Sequence, residues 1–195
     1  MTRRNRKLIL ASSSPRRREL LREAGYRFEV MPPGDVESCG LCSGESPAEL
    51  VARLALRKAL DVARQVDDGL ILASDTVAEC QGQILGKPAD EAHARSMLNT
   101  LSGREHRVYS GLCLVAAPAG EPDVRVDCTL LRMDRLSTAQ IEAYLATEQW
   151  IGKAGAFGFQ DGLDWVHIVR GSQSNVVGLP MELLETMLAQ ARDAG

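Results

Sequence analysis

The sequence predicts an α/β fold, and three observations carry that expectation. Apolar runs of strand length, KLILA at 7–11 and LILA at 70–73, alternate with helical patterns, several of which open on a recognisable cap. Hydrophobic residues make up 45% and charged residues 25% of the chain, an ordinary globular composition that excludes a disordered or fibrous protein. The 195 residues allow one domain or two closely packed lobes, at roughly 150 residues per domain.

The elements follow in order. The run Lys7–Ala11 stops at a Ser cluster before Pro15, so a helix should begin there, with Ser14 at its N-cap and Pro15 in its first position. Leu20, Leu21 and Ala24 recur at helical spacing until Gly25 ends the element. Phe28–Met31 reads as a second strand, and residues 32–45, polar and rich in Pro and Gly, as a mobile functional loop. Ser46 and Glu49 form a capping box for a long helix, with Leu50, Val51, Leu54, Ala55, Ala59 and Val62 on one face. Arg53, Arg57 and Lys58 are assigned to its other face.

After the strand at Leu70–Ala73, residues 76–85 read as a hairpin turning near Gln81-Gly82. Asp90 can cap a helix carrying Ala94, Met97, Leu98 and Leu101, ended by Gly103. Val108–Ala117 and Val124–Leu131 are the next two strands. Ser137 and Gln140 form a second capping box, for a helix through Ile141, Tyr144 and Leu145. Gly152–Gly162 is too dense in glycine for a helix interior and suits close backbone approach to a ligand. A strand near Trp165–Val169 and a helix from about Met181 to Ala191 close the chain.

The net charge of −3 argues against a surface built throughout for nucleic acid. Four of the 23 basic residues are lysines (Lys7, Lys58, Lys87 and Lys153), so each invites a specific role. Five cysteines, an odd number without a secretory signal, disfavour a disulfide framework and lead us to expect a reduced, cytoplasmic protein. Behind the basic start, the apolar run Leu8–Ala11 is too short for a signal peptide or a transmembrane span, so no membrane association is expected. Cys39 and Cys42 have CxxC spacing without a second pair; incidental loop thiols are the default reading and a structural metal the alternative.

Three constellations could carry chemistry. Ser12, Ser13, Ser14, Arg16 and Arg17 stand at a strand-to-helix turn, where backbone N–H groups, hydroxyls and guanidinium forks all favour phosphate. The alternative for this stretch alone is a capped surface helix with a solvated Arg run. Ser74-Asp75-Thr76 follows LILA, placing a carboxylate at a strand's carboxyl end, where α/β sheets bind ligands and where it could hold a metal or accept a proton. Gly86-Lys87-Pro88 is not a Walker A loop, because Pro88 replaces the required Ser or Thr, but it can aim an ammonium at a polyphosphate. His93, His106 and His167 lack metal-ligand spacing and read as hydrogen-bonded structural histidines. No GxSxG elbow supports serine-hydrolase chemistry.

These pieces occur in a familiar order. LILASSSPRRRELL, SDTV, LGKPAD, MLNTLSGREHRVYSGL, KAGAFGFQ and VVGLP together resemble the Maf family of nucleoside triphosphate pyrophosphatases, from about Leu8 to Leu188. The resemblance implies one catalytic domain over residues 1–195, a mixed, twisted sheet with flanking helices, and two lobes around a deep cleft. It implies hydrolysis of a nucleoside triphosphate to the monophosphate and pyrophosphate with a divalent cation, Mg²⁺ or Mn²⁺. Asp75 matches the family's proton acceptor, Asp75 and Glu37 would hold the metal, and Lys87 would act on the phosphates. Ser12, Ser14, Arg16, Arg17, Lys58, Thr76 and Gln160 match positions that bind substrate.

Arg16, Thr76 and Gln160 resemble the dTTP/UTP type within that family; the 7-methyl-GTP type carries an aromatic residue, Gln and Glu at those places. Phe159 stands where Ile is usual, and residues 161–170 depart from the usual run. The alternatives are therefore the same chemistry on a purine or modified nucleotide such as 7-methyl-GTP, or a non-catalytic nucleotide- or nucleic-acid-binding regulator of cell division. A nucleoside triphosphate is the expected partner, without a stable nucleic-acid partner; a homodimer is compatible with the sequence.

Overall fold

The computed structural model describes residues 6–34, 44–118 and 120–193. Seven strands form one mixed sheet: β1 (Leu8–Leu10), β2 (Phe28–Val30), β3 (Gly69–Cys80), β4 (Gln83–Leu85), β5 (Glu105–Ala117), β6 (Asp123–Met133) and β7 (Val166–Arg170). The strand order is β2-β1-β3-β5-β6-β7, with β4 pairing β3. β1 runs parallel to both β2 and β3, whereas β3–β4 and β6–β7 are antiparallel. The helices are α1 (Pro15–Glu23), α2 (Pro47–Ala63), α3 (Glu91–Leu101), α4 (Thr138–Leu145), α5 (Gln173–Val177) and α6 (Met181–Asp193).

The local rules account for most element starts. Both capping boxes form, Ser46 with Glu49 at α2 and Ser137 with Gln140 at α4, and the Asp90 carboxylate accepts the His93 N–H at 2.7 Å to start α3. α5 has no counterpart among the elements expected from the sequence, since the five residues QSNVV are too few to display a repeating hydrophobic pattern. No helix among the described residues is long and apolar enough to cross a membrane.

Two compact units emerge: residues 1–75, 110–127 and 178–195 in one, 76–109 and 128–177 in the other. In the first, the period-2 alternation of strands sorts side chains onto two faces. Ile9, Ile71, Ala73 and Val115 pack with Ala55, Ala59 and Val62 of α2, while Leu8, Leu10, Leu72 and Leu112 pack with Leu21 of α1 and Leu184 and Met187 of α6. Gly111 lets α2 close on β5, because a Cβ there would lie 2.3 Å from the Val51 carbonyl oxygen.

In the second unit, α3 and α4 pack on the sheet around Leu98, Leu101, Leu131, Met133 and Leu145. His106 is 1% exposed, meets Phe157 edge-on at 5.4 Å, and has the Arg104 main chain as its hydrogen-bonding neighbour. Burial lowers the imidazole to about 4, against the opposing effect of the Arg104 main chain. Its stabilising contribution is then complete above the unfolded value of 6.5 and is lost as the pH falls towards the folded one. At pH 5 the loss is about 2 kcal/mol. Melting temperatures of wild type and His106→Leu at neutral and acid pH check this: the variant should lose less on acidification, and parallel losses would refute it.

Candidate active site

Strand alternation sets the first cluster. Ser74 follows Leu72 on the α1/α6 face of β3, and Asp75 follows Ala73 on the α2 face. The hydrogen bonds agree: the Ser74 hydroxyl donates to the Gly178 carbonyl, just before α6, at 2.9 Å, while the Lys58 ammonium of α2 meets Asp75 Oδ1 at 2.5 Å. Lys58 is 5% and Asp75 9% exposed, so this is a buried ion pair.

Two expectations are corrected here. Asp75 does not stand at a strand end: β3 runs on to Cys80, because β4 folds back on it with Ala78, Glu79 and Cys80 opposite Leu85, Ile84 and Gln83. Its register with β1 ends at Leu72, so Asp75 lies where the neighbouring strand has finished although its own has not. Lys58 does not share the face of α2 that carries Arg53, which pairs with Glu45 at 2.6 Å. It falls on the buried stripe Val51, Ala55, Lys58, Val62, whose 4-3-4 spacing was the signal available in the sequence.

The turn after β1 supplies the second half of this cluster. Ser12 is buried, and its Oγ accepts from the Ser14 N–H and from Arg17 Nη1, each at 3.2 Å. Both lone pairs are used, so what this hydroxyl offers is its O–H. Arg17 Nε donates to the same Gly178 carbonyl that Ser74 uses, at 2.8 Å. Arg17, Gly178, Ser74, Asp75 and Lys58 thus form one connected chain. Ser14 occupies the α1 N-cap as expected, with extended φ/ψ, but its side chain makes no capping bond; Pro15 follows at the first position. Arg16 is half-buried beside it. Gly178 lies within VVGLP, and a backbone acceptor used by two distant side chains leaves no signal in sequence.

In the second unit, Thr76 is half-buried while Lys87 and Gln160 are exposed. The segments bearing the latter two are joined, since the Gly155 N–H donates to the Gly86 carbonyl at 3.0 Å. Gln160 lies in one of two short 3-10 turns, Ala154–Ala156 and Phe159–Asp161, which give the glycine-dense segment a regular form. His93 and His167 are structural: His93 Nδ1 accepts from the Ala89 N–H at 3.2 Å, and His167 Nε2 lies 2.8 Å from Asp134.

Glu37, Cys39 and Cys42 lie outside the described residues, and among the described ones no group of three or more His, Cys, Asp or Glu could hold a metal ion. The chemistry of Asp75 nevertheless suits a hard cation. Mg²⁺ is usually held by one or two carboxylates together with substrate phosphates and water, not by a protein cage, and Lys58 occupies one carboxylate oxygen.

A sequence model of Maf-like proteins matches residues 7–191. The chain belongs to the Maf-like family. It is 53% identical over 182 residues to a dTTP/UTP pyrophosphatase of Rhodopirellula baltica, covering 93% of this chain and 80% of that protein. A dTTP/UTP pyrophosphatase of Moorella thermoacetica is 45% identical over 184 residues, covering 94% of each chain. Among solved structures the Staphylococcus aureus Ham1 protein shares the fold, with a TM-score of 0.54 at 13% identity, over 95% of this Maf-like chain and 99% of that one.

Proposed function

We propose that this Maf-like protein is a dTTP/UTP pyrophosphatase, hydrolysing either nucleotide to the monophosphate and pyrophosphate in the cytoplasm. The observation that carries the reading is the buried Lys58–Asp75 pair connected through Ser74 and Gly178 to the Arg17–Ser12 anion cradle. The 53% identity to a relative named for that activity supports the substrate class. In this reading residues 1–195 are one catalytic domain. Among the described residues Cys80, Cys113 and Cys128 are thiols outside any disulfide, which suits a reducing compartment.

A triphosphate carries about four negative charges, so binding needs cations and N–H dipoles and the reaction needs a base for water. Arg16, Arg17 and Lys87 supply guanidinium and ammonium groups to phosphate oxygens, while the N–H groups at the start of α1 and the hydroxyls of Ser12 and Ser14 orient them. Lys58 holds Asp75 Oδ1, which orients the carboxylate so that Oδ2 accepts the proton of the water attacking the α-phosphorus. Asp75 and Glu37 would hold Mg²⁺ or Mn²⁺. The cation, when bound, supplies neutralisation of phosphate charge and acidification of water. Thr76 and Gln160 are assigned to the nucleoside.

The test is a screen of normal and modified nucleoside triphosphates with Mg²⁺, reading monophosphate, pyrophosphate and orthophosphate separately. Equal yields of monophosphate and pyrophosphate from dTTP and UTP are expected. Binding without turnover, or release of orthophosphate, would overturn the assignment. In the same assay Arg17→Ala and Lys87→Ala should each raise KM for triphosphates by roughly 10- to 150-fold, the worth of one charge-assisted contact, with little change in nucleoside affinity. Equal weakening of both would show that these side chains do not face phosphate.

A further inference from the structure

We infer that Lys153, Asp161 and Tyr144 form a largely buried clamp that positions Gln160, and that base selectivity depends on it. The inference rests on the proposed reading of Gln160 as the residue that faces the base.

Residues 152–162 include Gly152, Gly155, Gly158 and Gly162. Such a segment has many accessible backbone states, and holding one of them requires a cross-link. The Lys153 ammonium provides it by bonding both carboxylate oxygens of Asp161, eight residues on. The side chains of this pair are only 12% and 11% exposed. The hydroxyl of Tyr144, from α4, donates to Asp161 Oδ2 at 2.8 Å, and its ring is itself fixed edge-on against Trp165 at 5.5 Å.

Gly158 is the condition for this arrangement. A Cβ at that position would lie 2.2 Å from Lys153 Nζ and 2.5 Å from an Asp161 oxygen, so the ion pair occupies the space a side chain would need. Backbone bonds close the turns on either side, Ala156 N–H to the Lys153 carbonyl at 3.1 Å and Asp161 N–H to the Gly158 carbonyl at 3.0 Å.

Gln160 is bracketed by the result. Phe159, on one side, packs into the apolar core of the unit, and Asp161, on the other, is held by Lys153 and Tyr144. Adjacent Cα atoms are about 3.8 Å apart, so fixing both neighbours fixes the exposed amide between them. A buried ion pair contributes little net stability compared with apolar packing, but its geometry is demanding, which suits a positioning role. Lys153 and Asp161 are therefore positioning residues, with no contact to reacting atoms.

The experiment measures kcat and KM for dTTP, UTP, CTP and GTP on Asp161→Asn, on Tyr144→Phe and on the double variant Lys153→Met/Asp161→Leu, which removes the pair without stranding a charge. Selectivity for dTTP and UTP over CTP and GTP should fall about tenfold or more, mainly through KM, in every clamp variant that folds. Gln160→Ala provides the separation. If it leaves the base ranking unchanged, the reading of Gln160 fails and the clamp inference with it. If it collapses the ranking while the folded double variant keeps wild-type selectivity, the clamp alone is overturned. In a Gln160→Ala background, Asp161→Asn should have no further effect on selectivity; an additive loss would also overturn the inference.

Discussion

Asp75→Asn is expected to lower kcat by about 10² to 10⁴ while leaving dTTP affinity close to wild type. The amide keeps the shape of the carboxylate and still offers an oxygen to Lys58, so the cradle around Ser12 and Arg17 is not disturbed. What disappears is the group that accepts the proton of the attacking water. The substitution also has a structural cost, because Lys58 is left as a buried cation without a counter-charge; removing one member of such a pair costs about 3 to 5 kcal/mol. Lys58→Met/Asp75→Asn separates the two effects. It should recover much of the melting temperature lost by the single variant and none of the turnover. Single-turnover kinetics with calorimetric binding of dTTP check both statements, and near-wild-type kcat in Asp75→Asn would remove Asp75 from the role of base.

The same ion pair marks the limit of what the sequence conveys. Local rules place the α2 and α4 capping boxes, the Asp90 cap and the Gln81-Gly82 turn correctly, because each depends on residues within a few positions of one another. Read from its apolar spacing alone, α2 sets Lys58 on the face opposite its core stripe, and only the presence of Asp75, 17 residues away in sequence, makes its burial affordable. The Gly178 carbonyl is further from reading: its donors, Arg17 and Ser74, lie 161 and 104 residues away, and a main-chain acceptor has no letter of its own. The strand that carries Asp75 outruns its apolar run LILA for a related reason. The pairing of Ala78 with Leu85 in the β4 hairpin, not the composition of SDTV, carries β3 on to Cys80.

Gln160→Glu is expected to invert the base preference, lowering kcat/KM for dTTP and UTP by about 10²-fold or more and raising that for GTP or 7-methyl-GTP relative to them. The imide edge of thymine and uracil presents one N–H donor between carbonyl acceptors, and a primary amide answers both, accepting through its oxygen and donating through its nitrogen. A carboxylate only accepts. Against the imide it leaves a carbonyl facing a charge, whereas the guanine edge presents adjacent donors that a carboxylate can accept together. Each polar group left unpaired on binding costs about 1 to 3 kcal/mol, and two such losses in the pyrimidine complex give the expected factor. Because Gln160 is exposed and the ion pair beside it engages Asp161, the variant should melt within about 0.5 kcal/mol of wild type. A change in ranking then reports recognition and not folding. Steady-state kinetics on dTTP, UTP, CTP, GTP and 7-methyl-GTP decide the matter: an unchanged ranking in Gln160→Glu, or a wild type that prefers a purine, would take base reading away from Gln160 while leaving Asp75 and the pyrophosphatase chemistry untouched.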